Sequence, residues 1–148
     1  MPNTDIVNWQ PIGQMRLIAN MIDDSLDSTR KHLQTLTKAR TRPHVLDDAT
    51  IDRVEQVHTE QRDFVDIYIQ QIVRWRTQKP SPSQIRELDR MEAQSQQLRA
   101  VTADVLTVAA ELRRGTIERV MDMTDLELGL QVLLGEPEHA KRRVFGGF

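Results

Sequence analysis

The chain contains no cysteine, which excludes disulfides, thiolate nucleophiles and cysteine-ligated zinc or iron–sulfur centres. Aromatic residues make up 4% of it, so any core has to be aliphatic. No apolar run approaches the roughly 20 residues that a membrane span needs. The opening Met1-Pro2-Asn3-Thr4-Asp5 lacks the basic-then-apolar pattern of a secretory signal. A cytoplasmic protein with no membrane contact is therefore expected. Charge of one sign is also lacking. Lys and Arg number 20 against 22 Asp and Glu, a formal net charge of −2, which argues against a general nucleic-acid binder.

What remains is a chain of 148 residues, 39% hydrophobic and 28% charged, enough for one packed domain. Its breaks are few, with six glycines and six prolines in all. They fall at Thr41-Arg42-Pro43-His44, at Lys79-Pro80-Ser81-Pro82, at Gly115 and at Gly135-Glu136-Pro137. Between the breaks the apolar residues recur in alternating steps of three and four, the period of a helix facing a partner helix. The first stripe is Ile12, Met15, Ala19, Ile22, Leu26, Thr29, Leu33 and Leu36. The second is Ile51, Val54, His58, Gln61, Val65, Tyr68, Ile72 and Trp75. The third is Ile85, Leu88, Met91, Ser95, Leu98, Thr102, Val105, Ala109 and Leu112.

Start signals accompany each stripe. Asn8 is placed to cap the first helix with Pro11 in its first turn, and Asp47 to cap the second. Ser81-Pro82-Ser83-Gln84 has the form of a capping box. The spacing predicts an all-α fold: an elongated antiparallel up-down-up bundle of three long helices, near residues 9–40, 48–78 and 82–114. Gly115 is expected to end the third, with a shorter fourth helix over 116–134 completing a bundle domain of residues 1–135. Residues 136–148 form a basic, aromatic tail. From Leu126 to Leu134 the fourth segment is apolar nearly all round, so burial on more than one side is expected.

Folding the helices back on one another brings Thr29, His58 and Thr102 to one height, with Gln61 and Ser95 within a turn or two. A polar layer inside an aliphatic core is the result, and it serves either to set helix register or to bind a small molecule. Glu55-Gln56-Val57-His58 has the Glu-x-x-His spacing of dimetal bundles. A dimetal site needs two such motifs and further inward carboxylates, so no metal and no cofactor is expected. Asp23, Asp24 and Asp27 are expected level with Glu60 and Asp63 as an acidic waist. No general acid–base pair, nucleophile triad or phosphate loop is present, and no catalytic residue is nominated.

The preferred function is that of a non-catalytic helical interaction protein, a small subunit, adaptor or oligomerising module working through helix faces. A homodimer is the expected assembly. The interface candidates are Leu126, Leu130, Leu133 and Leu134, the tail residues Arg142, Arg143, Phe145 and Phe148, and the tryptophans Trp9 and Trp75 at one end of the bundle. The alternative is a small-molecule- or metal-binding bundle with its site around His58. A further alternative is an accessory subunit that touches nucleic acid through its basic end.

Overall fold

The computed structural model describes residues 7–42 and 46–134, and side chains as far as Gly115. After a 3₁₀ turn at Ile12–Gln14, three α-helices follow in order: α1 (Met15–Ala39), α2 (Asp48–Arg76) and α3 (Pro82–Leu134). The cross-links between helices fix their directions. Asp23 with Arg90, Arg30 with Gln97 and Arg40 with Glu111 rise together, so α1 and α3 are parallel. Arg76 with Asp89, Asp66 with Arg99 and Glu55 with Arg113 run in opposite order, so α2 is antiparallel to α3.

Local sequence explains where these helices start. Asp47 accepts a hydrogen bond from the Thr50 N–H at 2.8 Å, and its carboxyl is held below the usual range by its hydrogen bonds with Thr50. At α3 the box closes in both directions: the Gln84 N–H donates to Ser81 Oγ at 3.2 Å and the Ser81 N–H to Gln84 Oε1 at 2.8 Å. Lys79 turns the chain between α2 and α3 with a φ of 51°. The start of α1 departs from expectation. Asn8 does not cap it; the helix begins at Met15 behind Gln14, with no side-chain cap. Residues before it are used elsewhere, because the Gln10 backbone N–H donates to Gln71 Oε1 at 2.7 Å and the Gln10 carbonyl accepts from Trp75 Nε1–H at 2.9 Å.

The core is a column of three clusters along α3. Met15, Ala19, Ile22, Ile72, Trp75, Leu88 and Met91 fill the lower end. Leu26, Val65 and Leu98 form the middle. Leu36, Ala39, Ile51, Val105, Val108, Ala109 and Leu112 fill the upper end. α1 and α2 each pack along α3, while their own backbones scarcely approach one another.

Trp75 was a candidate for a recognition surface, and its position corrects that: it is fully buried. Only Trp9 is partly open, and the Arg74 guanidinium lies 4.0 Å from its ring centre. One member of the expected acidic waist has its partner on α3. Asp23 lies on the α3 flank of α1, where Arg90 binds both of its oxygens at 3.0 Å and, with Gln94, holds its carboxyl below the usual range against the opposing effect of burial.

The expected break at Gly115 is absent, since α3 runs through it to Leu134. One glycine in a helix interior costs about 1 kcal/mol relative to alanine, which weakens a helix without ending it. The residues 116–134 therefore continue α3 rather than starting a helix of their own. A Cβ built on Gly115 would meet nothing within 4 Å. Gly115→Ala should accordingly raise the thermal midpoint by an amount worth about 1 kcal/mol, with helicity kept or increased in far-UV circular dichroism. A helix that ended at this glycine would give no gain or a loss.

Candidate functional site

Between the middle and upper clusters the column turns polar. Thr29 of α1, His58 of α2 and Thr102 of α3 are all buried there, at 1%, 3% and 0% exposure. Gln61 of α2 joins two of them. Its amide Nε2 donates to Thr29 Oγ1 at 2.8 Å and to Thr102 Oγ1 at 2.9 Å. The orientation of that amide follows from Thr29. The threonine hydroxyl donates to the Ser25 carbonyl at 2.6 Å, so only its lone pairs are left to meet Gln61. One side chain thus ties three helices at a single height.

His58 sits beside this tie rather than in it. Its ring nitrogen Nδ1 lies 2.7 Å from the Val54 carbonyl, which can only accept, so Nδ1 carries the proton. The lone pair of neutral His58 is then on Nε2, 3.3 Å from Nδ1 of His32. The two rings meet edge to face, 5.3 Å between centres. The apolar period does not single out His32, because it lies one position off the α1 stripe. The available signal was its register: it is three residues on from Thr29, as His58 is three residues before Gln61, so an antiparallel pairing sets them at the same level.

Ser95 does not belong to the layer. It is fully buried two turns before Thr102, and its hydroxyl has no hydrogen-bond partner. Glu55 is also drawn elsewhere: Arg113 Nε donates to it at 3.0 Å and the same guanidinium reaches Asp52. The Glu-x-x-His spacing therefore does not converge on a metal position, and among the described residues no group of three or more metal-ligating side chains assembles.

Next to the histidines lies a cavity of about 260 Å³. Leu36, Leu46, Val54 and Val57 give it apolar walls, and His32, His58 and Arg53 stand at its margin. A larger depression of about 510 Å³ lies between the start of α1 and the start of α3 and includes Arg16, Asn20 and Arg90. Arg90 is already committed to Asp23 and Glu87. The side chains of Leu126, Leu130, Leu133 and Leu134 lie outside the described ones, as do residues Arg142, Arg143, Phe145 and Phe148 altogether.

The electrostatics of the histidine pair favour the neutral form of His58. Burial pushes its pKa below the ordinary value; the Val54 carbonyl opposes that shift, and His32 adds to it. A group whose folded-state pKa is depressed takes up its proton more readily unfolded. Its stabilising effect is complete above the unfolded value of about 6.5 and is lost as pH falls from there toward the folded value. The melting temperature should therefore drop between pH 7 and pH 5, and His58→Leu should flatten that part of the profile. The variant should also fold well, since a leucine fills the same buried volume with no donor to satisfy. An unchanged slope in the variant would assign the acid sensitivity to other groups.

Compared with known proteins, the chain matches no family model, no curated protein and no solved structure.

Proposed function

We propose that this protein is a non-catalytic helical interaction module that works through helix faces, with self-association as its primary activity. The observation that carries this reading is the inequality of the bundle's three flanks. Ion pairs and charged hydrogen bonds close the α1–α3 and α2–α3 flanks along their length. Among the described residues no ion pair crosses from α1 to α2. That flank instead exposes Leu17, Met21, Val57 and Phe64, at 54%, 43%, 43% and 55%. Scattered exposed apolar residues are ordinary on protein surfaces; four on one flank are the composition of an interface. The sequence from Leu126 to Leu134 is apolar nearly all round, which favours burial on more than one side.

Light scattering on the full chain tests the reading. The expected molar mass is a multiple of 17.1 kDa, with two copies favoured. Leu130→Glu should lower it by putting a charge into the leucine run. A wild type that stays monomeric at high micromolar concentration would overturn self-association.

A second reading has its own support in the cavity beside His58. Apolar walls with Arg53 and two imidazoles at the margin suit a small apolar carboxylate, held by its body and oriented by its charge. A thermal-shift screen of aliphatic and aromatic carboxylates should then give an upshift that His58→Leu and Arg53→Ala both diminish. No upshift from any member of the series would leave the cavity without a ligand role.

A further inference from the structure

The cavity beside the histidine pair is basic on one side only. Among the described residues its lining holds the Arg53 guanidinium and the two imidazoles, and no carboxylate. No ion pair among these residues involves Arg53. The acids close to Arg53 on α2, Asp52 and Glu55, are both held by Arg113 of α3. On α1, Asp27 pairs with Lys31, and Glu111 of α3 pairs with Arg40. α3 reaches the level of the pair through Thr102 and Val105, neither of which titrates. A positive charge on the pair thus has Arg53 for a neighbour and no acid committed to it.

The hydrogen bonds of the pair decide where an added proton goes. His58 donates from Nδ1 to the Val54 carbonyl, so its Nε2 accepts from His32 Nδ1–H. The one nitrogen lone pair left over in the two rings is then on His32 Nε2. His32 is also the exposed partner, whereas His58 is buried. A proton added at His32 Nε2 leaves both hydrogen bonds in place and makes the one to His58 charge-assisted. The pair has room for that proton and no second one, because His58 Nε2 is occupied by the bond itself. Two cations at one cavity, His32 and Arg53, repel each other, and a carboxylate in the cavity offsets that repulsion. Proton and anion therefore strengthen one another's binding by the same factor.

We infer that a small apolar carboxylate enters this cavity together with one proton, which the His32 ring takes up while it stays hydrogen-bonded to His58. This rests on the carboxylate reading of the cavity and adds the control of its occupancy by pH. An imidazole ordinarily titrates at about 6.5 and a carboxylic acid at about 4, so between pH 6.5 and pH 8 the ligand keeps its charge and the proton comes to the protein. Affinity falls as pH rises through that range, since the proton that accompanies the anion is drawn from an ever more dilute supply.

The test is isothermal titration calorimetry of the full chain with hexanoate, octanoate and benzoate, in two buffers of different ionisation enthalpy so that protons taken up are counted. At pH 7 a carboxylate that binds should bring about half a proton or more with it, and its Kd should rise about five- to tenfold from pH 6.5 to pH 8. His32→Gln keeps an amide donor for His58 but has nothing to titrate. It should bind more weakly, with no proton uptake and a Kd that stays level with pH. Arg53→Ala should weaken binding and keep the uptake, because the guanidinium holds its proton throughout. Wild-type binding with no uptake and a level Kd would overturn the proton coupling while the cavity remains a carboxylate site. Uptake undiminished in His32→Gln would overturn the assignment to this pair. No binding of any of the three carboxylates at millimolar concentration would overturn the coupling and the carboxylate reading together.

Discussion

Gln61 extends from α2 to a threonine on each of the other two helices, and its two hydrogen bonds can be made at only one axial setting of the three. The aliphatic clusters above and below are less selective. Isoleucine, leucine and valine at steps of three and four would pack nearly as well after a slip of one turn, about 5.4 Å. Such a slip would leave the part-buried Gln61 amide and the buried Thr102 hydroxyl without each other, at about 1–3 kcal/mol for each, while Thr29 would keep only its bond to the Ser25 carbonyl. The polar layer is therefore what makes a repetitive helical pattern specify one register. The cross-links to α3 then fall into line: Asp23 meets Arg90, Asp66 meets Arg99 and Glu55 meets Arg113 only in that register. Most of these pairs are well exposed and contribute little stability individually, so their effect is on alignment rather than on depth of the minimum.

The layer also creates the weak point of the bundle. A histidine buried beside it is tolerated because it is neutral and donates to the Val54 carbonyl one turn back along α2. Its second nitrogen faces His32, and the contact can hold one shared proton. Protonating both rings would set two N–H groups against each other 3.3 Å apart. The cavity beside the pair has the same origin. The α1 and α2 backbones stay apart at this height while their side chains meet through Gln61 and the histidines, and Val57 and Leu46 line the recess that is left.

Much of this was legible in the sequence. The steps of three and four identify the buried residues of all three helices with few exceptions, because burial in a helical bundle follows helical period almost alone. Asp47 and the Ser81–Gln84 box are local signals, and they act locally. Thr29, His58 and Thr102 could be brought to one height by folding the chain at Pro43 and Ser81, with Gln61 within a turn or two, since short connections leave little axial freedom. The exceptions have physical causes. Asn8 has the chemistry of a cap, but the neighbouring Gln10 backbone is bound by Trp75 and Gln71, a contact of long sequence separation that no local rule contains. Gly115 is a helix breaker only where the chain also has somewhere else to go. The arginine partners of Asp23 and Glu55 on α3 are not legible from level, because height does not say which neighbour a flanking residue faces. His32 was lost for the converse reason: it has the right height but sits off the stripe.

That distinction between height and flank bears on what the molecule is for. A three-helix bundle that is complete by itself has three equivalent seams, each sealed by apolar contact with charges at its edges. In this chain two seams have that form and the third does not. Its edges carry Leu17, Met21, Val57 and Phe64 where the other two carry arginine and carboxylate. These four side chains are already about half covered, so a partner that buried the rest would recover about half of the roughly 1.5–3 kcal/mol that full burial is worth for each. Ser25 and Ser28 lie between Met21 and His32 on α1, and small side chains at such a place let another helix approach closely. The ion pairs of the two sealed seams align α1 and α2 on α3, and the flank between α1 and α2 is left with its apolar side chains exposed. Filling a preformed apolar flank would cost little further ordering, which is why such a seam suits the association proposed above.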